Sequence, residues 1–586
     1  MHGGDVAVKA LEAIGVSVVF GLPGIQTGPI YDAIDRSKRI KHILMRDERN
    51  GAYAADAYAR VTGQIGVCDA TVGPGAVKLT SGLFEARNSS IPVLALISGH
   101  ETYYSNYIEK GRISQGVDQL SVLKPVSKSV LCVTSGDRIF ETIRIAAIDA
   151  CSGVPGPVVI EFPADVLKDV VKPETQGGSH AVDAAYPMNR YTAPDESVAA
   201  AAELLSEAER PIIVAGGGVL ISGAAQTLTD LVTEFSIPVI STFSGKGAVP
   251  DLHPMCLGLA GISGIPMNER VARSADVVVL VGTKCSQNTT FNWTFPEHGQ
   301  RVIHIDVDPG EMNRFFPTHV CLVGDARLVL RSLKQRMRAI PQAKRDKWTE
   351  VVVAAKSEWA RLKCAEQGST RVPIAPQRVM KAVQDCIDED TCVVADASFA
   401  SAWVAEFLEH KAPGRYSLYP RGSAGLGWGL PAAIGVSAAN KFTRVVVVAG
   451  DGGFTYSVSE LATLRQYGYP VVSVVLNNAS LGWWKVLNHL LYGRDLTSTS
   501  MGYTDFAAIA EGFGLKADTV VEPADLERSL SSLLDSGEAG VLNVSTVWNE
   551  SPIWSYREAL SSQSDETASM TSPEPGGTSE QGQGNG

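Results

Sequence analysis

Residues 445–448 are four consecutive valines, and Gly450-Asp451-Gly452-Gly453 follows almost at once. An unbroken apolar run of this kind reads as a strand buried on both faces, and the glycines turn the chain out of it. Leu461, Leu464 and Tyr467 then recur at helical spacing. They predict a helix over 457–467, with Ser457 as its N-cap and Glu460 completing a capping box. Pro470 stops that segment, and residues 471–476 are a second apolar run that ends at Asn477-Asn478. Strand, helix and strand in this length form a βαβ unit, so the two strands are expected to be parallel neighbours.

The same alternation runs along most of the chain and divides it into three. Residues 1–175 carry the strand-like stretches VSVVFGLPG, HILMRDE, GVCDATVGPG, VLALISG and VPGPVVIEFPADV, separated by helix-like segments. Residues 176–190 turn to Gly, Ser, His and Pro and read as a linker. A second unit, 190–340, has PIIVAGGGV, IPVIST, DVVVLVG and RVIHIDVDP as strands, and a charged helical stretch over 328–362 leads out of it. A third, 368–548, has CVVADAS, VVVVAGDGG, VVSVVLNN and GVLNVST. Repeated β–α alternation predicts an α/β protein of three doubly wound parallel-sheet domains. Residues 555–586 are dominated by Ser, Glu, Gly and Thr, cannot bury a core, and are expected to form a disordered tail.

Length and composition narrow the field. The 586 residues leave room for three or four domains, and 45% apolar residues fit a globular protein. A net charge of −12 argues against nucleic acid as a partner. No apolar run reaches membrane-spanning length and the N-terminus MHGGDVAVKALEAIG lacks a signal-peptide pattern, so no membrane association is expected. The nine cysteines are scattered without a CxxC pair, which suits reduced thiols and a cytoplasmic location.

The candidate chemistry begins where the two central strands end. Asp451 and Asn478 leave the carboxyl ends of adjacent parallel strands, where open α/β sheets bind ligands. One carboxylate and one amide oxygen suit a hard cation such as Mg²⁺ better than Zn²⁺. Gly452 and Gly453 let backbone approach an anion, so the stretch reads as a Mg²⁺-diphosphate cradle. Two ordinary turns, one Asp-Gly and one Asn-Asn, leave the same local pattern.

GDG followed by NN at this spacing resembles the diphosphate and metal motif of thiamine-diphosphate enzymes. The resemblance implies that Asp451, Asn478 and the Ser480 carbonyl hold the metal. It extends to Arg46-Asp47-Glu48-Arg49-Asn50-Gly51 with Ala54-Ala55-Asp56 behind it, which is similar to the family's R-H-E-Q-G-A-x-x-A-A-D. There Glu48 would hydrogen-bond the cofactor's pyrimidine ring and share a proton with it, across a subunit boundary, so a homodimer or homotetramer is implied. RGSAGLGWGLPAAIG resembles the loop that bends the cofactor. That match puts Leu426 at the bulky prop, Ala424 and Gly425 at the pyrimidine, and Ser398 at a weaker diphosphate contact. Less specific matches are VFGLPGIQTG, with Gly24, Ile25 and Gln26, and the loop VGPG. The three units would then be a pyrimidine-binding domain, a central domain and a diphosphate-binding domain.

Departures bear on the subfamily. Compared with acetolactate synthases, the chain has Val154 in GVPGPV, Ala164 in FPADV, His100 in ISGHE and KCSQNTTFNW at 284–293, which counts against FAD. Gly216-Gly217-Gly218 follows a strand, but Ile221 breaks GxGxxG, leaving a tight turn and a nucleotide site equally open. His100 is a candidate for proton transfer or for holding a substrate carboxylate. Trp483 and Trp484 either line the substrate channel or pack. Thr71 stands where benzoylformate decarboxylase has a histidine, which disfavours simple decarboxylation.

The expectation is therefore a Mg²⁺- and thiamine-diphosphate-dependent carboligase of acetolactate synthase type. It would decarboxylate a 2-oxo acid, such as pyruvate, and add the acyl unit to a second carbonyl. The alternatives are a non-oxidative 2-oxo acid decarboxylase and a lyase like oxalyl-CoA decarboxylase.

Overall fold

The computed structural model describes residues 1–108, 111–171, 183–338, 340 and 342–570. Three six-stranded, fully parallel sheets follow one another along the chain. The first contains β1 (Val18–Gly21), β2 (Lys41–Leu44), β3 (Gly66–Ala70), β4 (Val93–Gly99), β5 (Ser129–Cys132) and β6 (Val158–Pro163), in the order β2-β1-β3-β4-β6-β5. The second contains β7 (Pro211–Ala215), β8 (Val239–Ser241), β9 (Cys256–Leu259), β10 (Val277–Val281), β11 (Arg301–Asp306) and β12 (Val320–Val323), in the order β12-β11-β10-β7-β8-β9. The third contains β13 (Thr391–Ala395), β14 (Ser417–Leu418), β15 (Arg444–Gly450), β16 (Val471–Asn477), β17 (Lys516–Val520) and β18 (Gly540–Ser545), in the order β14-β13-β15-β16-β18-β17. The first and third sheets thus share one topology. In the second, the winding reverses between β7 and β10, which makes the carboxyl ends of those strands a natural ligand crevice.

The α/β class and the three doubly wound sheets agree with the reading of the sequence. The strands missing from that reading are β5, β9, β12, β14 and β17, and each lies at a sheet edge. Edge strands have one solvated side and lose the continuous apolar run that marks a central strand. β17, Lys-Ala-Asp-Thr-Val, buries only Val520.

The first and third units share a continuous core across two helices, Glu48–Thr62 and Gly429–Ala438. Small residues permit the contact. A Cβ on Gly435 would lie 2.1 Å from the Ala54 carbonyl oxygen. Trp428, fully buried at the start of the second helix, donates its indole N–H to Asp56 at 3.2 Å.

Several local expectations are corrected. Ser457 makes no cap hydrogen bond, and residues 458–460 form a 3₁₀ turn ahead of a helix, Leu461–Tyr467. Glu460 instead accepts from the Arg46 N–H at 3.0 Å and the Asn50 amide at 2.8 Å, so a long-range partner wins over the local box. The charged stretch 328–362 is two helices, Ala326–Arg336 and Gln342–Gln367. The tail expected from 555 begins as a helix, Trp554–Met570, in which Arg557 pairs with Glu366 and Glu406; residues 571–586 lie outside the described residues. Residues 172–182, which include the start of the linker, also lie outside them, and Tyr186 within the linker donates to the Ala59 carbonyl at 2.7 Å. No described helix is long and apolar enough to cross a membrane. All nine cysteines are unpaired.

Candidate active site

Register sets the geometry of the Asp451 site. Gly450 at the end of β15 pairs with Leu476 in β16, so Asp451 and Asn478 leave the sheet at nearly the same level. The Ser480 N–H donates to Asp451 Oδ2 at 3.2 Å and to Asn478 Oδ1 at 3.1 Å. One amide therefore gathers both side-chain oxygens. Asp451 is buried and its carboxyl is pushed above the ordinary range by desolvation, against the backbone N–H groups of Gly452, Ser480, Ala479 and Asn478.

The glycines beside Asp451 are required by space. A Cβ on Gly453 would lie 2.5 Å from Asp396 Oδ2, and one on Gly452 would meet Leu481 at 3.0 Å and Met501 at 3.2 Å. Leu426 approaches the same glycines, its Cδ2 3.8 Å from a Cβ on Gly453. Ser398, Ala424 and Ala479 sit around this crevice with φ of 69°, 55° and 54°. Left-handed backbone at three non-glycine residues is strain of the kind that clusters at ligand sites.

Asp396 holds the far end of the loop that carries Ala424, Gly425 and Leu426. It accepts from the Gly427 and Trp428 N–H groups, each at 3.1 Å, and from Ala397 at 2.7 Å. Burial pushes its carboxyl up to about 6 in spite of those donors. Nothing in the linear sequence marks this role, because the partners lie 31 and 32 residues away.

Glu48 opens its helix in the first unit, behind the N-cap Asp47, which accepts from the Arg49 N–H. The side chain is 5% exposed, and its buried Oε2 has no hydrogen-bond partner. Lys78 Nζ forms an ion pair with that same Oε2 at 3.3 Å, and a Cβ on Gly75 would sit 2.9 Å from Oε1. Thr71 packs against Gly75 and Gly24 and donates to Gln26 at 3.3 Å, so the first loop and the Gly-Pro-Gly loop meet beside Glu48. Ile25 between them is 92% exposed. His100 follows β4, buried, with Nε2 unpartnered. Gln119, not singled out from sequence, ties this region together. It accepts from the Gly73 N–H at 3.0 Å and donates to the Ser98 carbonyl at 2.8 Å. Among the described residues no hydrogen bond or ion pair joins Glu48 to the Asp451 group.

Two other features complete the picture. Trp483 stacks on Phe399 with ring centroids 5.1 Å apart, next to strained Ser398, while Trp484 is half exposed. A cavity of about 420 Å³ opens at the reversal point of the second sheet, lined by Gly217, Gly218, Gly282, Lys284, Asp306 and Arg421 among others. Gly216-Gly217-Gly218 does make a strand-to-helix turn, and Gly217 and Gly218 also line this cavity.

Known proteins with the same organisation can now be compared. Residues 1–122 match the thiamine pyrophosphate enzyme N-terminal TPP binding domain, 198–333 the thiamine pyrophosphate enzyme central domain, and 396–544 the thiamine pyrophosphate enzyme C-terminal TPP binding domain. A probable acetolactate synthase large subunit of Methanocaldococcus jannaschii is 34% identical over 551 residues, covering 93% of this chain and 92% of the relative. The acetolactate synthase isozyme 2 large subunit of Escherichia coli K12 is 31% identical over 547 residues, 93% of this chain and 95% of the relative. The isozyme 3 large subunit of the same bacterium is 31% identical over 542 residues, 91% and 92%. With most of each sheet covered by its own domain match and the likeness running nearly end to end, the chain belongs to the thiamine pyrophosphate enzyme family.

Proposed function

We propose that this protein is a thiamine-diphosphate- and Mg²⁺-dependent carboligase of acetolactate synthase type. It would join two 2-oxo acids, or a 2-oxo acid and another carbonyl compound, with loss of carbon dioxide. The observation that carries the reading is buried Glu48, whose Oε2 accepts no hydrogen bond and faces the Lys78 ammonium at 3.3 Å, in a chain whose Asp451 and Asn478 oxygens meet at one amide. A buried carboxylate oxygen that accepts no hydrogen bond and faces a half-exposed lysine leaves room for a ligand donor.

The residues present fit the cofactor. The side-chain oxygens of Asp451 and Asn478, with the Ser480 carbonyl, make an all-oxygen donor set suited to Mg²⁺. Gly452 and Gly453 leave no side chain in the path of a diphosphate, and Ser398 is the proposed polar contact beside it. Ala424 and Gly425 offer backbone groups, and half-buried Leu426 stands as an apolar prop. When bound, thiamine diphosphate supplies a nucleophilic carbon and an electron sink. Glu48 would hydrogen-bond a ring nitrogen of the bound cofactor and exchange a proton with it. His100 Nε2 is placed to hold a substrate carboxylate, and the Trp483–Phe399 stack excludes water from one wall.

A homodimer or homotetramer belongs to this reading. Ile25 is 92% exposed beside Thr71, and Glu48 has no bonded link to the Asp451 group of its own chain. A second copy would bury the first and complete the second. The unpaired cysteines suit a cytoplasmic enzyme.

One observation favours a second reading. The cavity in the central unit lies where doubly wound sheets take nucleotides, so a lyase acting on a nucleotide-bearing acyl substrate, like oxalyl-CoA decarboxylase, has a place for it. FAD there is disfavoured by the 284–293 stretch, where Lys284 donates to the Asn88 carbonyl and Trp293 stacks on Phe315. Pyruvate turnover with thiamine diphosphate, Mg²⁺ and a panel of acceptor carbonyls separates the readings. Hydroxy-oxo acids or acyloins identified by mass support the carboligase. Free aldehyde alone supports a decarboxylase. Turnover of an acyl-CoA but not of pyruvate supports the lyase.

A further inference from the structure

The loop that carries Ala424, Gly425 and Leu426 is gripped from the first unit by a buried carboxylate that the chemistry above leaves unused. Glu85, fully buried on the helix Thr80–Ser89, accepts from the Gly422 N–H at 2.9 Å and from Ser89 Oγ at 2.8 Å through Oε1. Its Oε2 accepts from the Ser423 N–H at 2.6 Å and from Ser423 Oγ at 3.0 Å. Arg60 donates to Glu85 at 2.9 Å, pairs with Asp56 at 2.9 Å and donates to the Tyr419 carbonyl at 2.8 Å. Its guanidinium also lies 5.2 Å from the ring centroid of Trp428, whose indole N–H binds Asp56. One buried triad, Asp56–Arg60–Glu85, thus holds the chain before the loop, at its first two residues and just after it.

The groups facing Glu85 are the Arg60 guanidinium, two backbone N–H groups and two hydroxyls, a set that favours the carboxylate. Burial pushes its carboxyl up, but Arg60 and the N–H groups of Ser423 and Gly422 more than offset this and hold it below the ordinary range. Just beyond the grip the backbone bends through Ala424 at φ 55°, a conformation that persists only if its flanks are fixed. Asp396 fixes the other flank at Gly427 and Trp428. The two carboxylates come from different units and clamp the same span, residues 422–428.

We propose that Glu85, seated on Arg60, is a positioning residue that preorganises residues 424–426 for thiamine diphosphate, so that the first unit sets the cofactor affinity of the third unit of the same chain. The inference rests on the function proposed above.

The test uses the full-length protein, with calorimetric titration of thiamine diphosphate in excess Mg²⁺ and hydrogen exchange of the apoprotein. Losing a charge-assisted acceptor in Glu85→Gln is expected to raise the Kd for thiamine diphosphate about 10-fold or more, and losing only the hydroxyl in Ser423→Ala about 3-fold. The amides of 422–426 are expected to exchange faster in both variants. The loss is expected in the Kd for the cofactor and not in KM for pyruvate. If Glu85→Gln does not fold, Ser423→Ala decides alone. Wild-type binding with a Kd unchanged within about 2-fold in the folded variants overturns this inference and leaves the proposed function standing. A wild type that takes up no thiamine diphosphate overturns both.

Discussion

At the scale of single residues, three carboxylates divide the work by environment. Glu48 is buried with Oε2 facing Lys78, Asp451 is buried beside Asn478, and Asp396 is buried under backbone donors. Glu48→Gln preserves shape but cannot share a proton. Turnover is expected to fall about 10²- to 10⁴-fold, while thiamine diphosphate binding by calorimetry changes far less. Asp451→Ala removes a cation ligand, so cofactor uptake is expected to need much higher Mg²⁺, measured as the Mg²⁺ concentration for half-maximal binding. Asp451 and Asn478 are legible in the sequence because each ends an apolar run that fixes its level in the sheet. Asp396 and Glu85 are not, because their meaning lies in donors that approach from distant positions: Glu85 and Gly422 are 337 residues apart. Ser457 and Glu460 show the reverse failure. A local capping box fits the sequence, but Arg46 and Asn50 recruit the glutamate.

At the scale of elements, the close helix pair between the first and third units depends on small residues. Gly435→Val would drive side-chain atoms into the Ala54 carbonyl, and overpacking of this kind costs about 1–3 kcal/mol or more, read as a lowered thermal midpoint. The docking of the C-terminal helix carries a pH dependence. Glu406 accepts from Trp554 at 3.0 Å and from Arg557 at 3.1 Å, and burial pushes its carboxyl from an ordinary 4.5 up to about 8, with Arg557 opposing. The folded protein therefore keeps a proton that the unfolded chain gives up. This contribution to stability is full below about 4.5 and is lost as the pH rises toward 8. Thermal midpoints across that range are expected to fall less steeply in Glu406→Gln than in the wild type. Element positions were legible wherever a strand lies inside a sheet. The five missed strands are all at edges, where half of each strand's surroundings is solvent or a short neighbour and the apolar signal thins.

At the scale of the whole molecule, the first and third sheets share one strand order and one core, and the second stands apart with its own strand order and its own core. In the function proposed above, the paired units would carry complementary halves of a cofactor site, Glu48 with Thr71 on one and Asp451 with Asn478 and Leu426 on the other. Assembly of two chains is what unites them in this reading, so specific activity is expected to fall on dilution as sedimentation shows dimers giving way to monomers. Neither the cavity of the central unit nor the apolar exposure at Ile25 is legible from hydropathy, because both arise from how distant segments meet or fail to meet.

The most direct test compares wild type and Glu48→Gln side by side for pyruvate turnover, with and without thiamine diphosphate and Mg²⁺, and identifies products by mass. Cofactor-dependent formation of a hydroxy-oxo acid or acyloin by the wild type, lost in the variant although the variant still binds the cofactor, is the expected result. No cofactor binding by the wild type, or equal turnover by both proteins, would contradict the central claim.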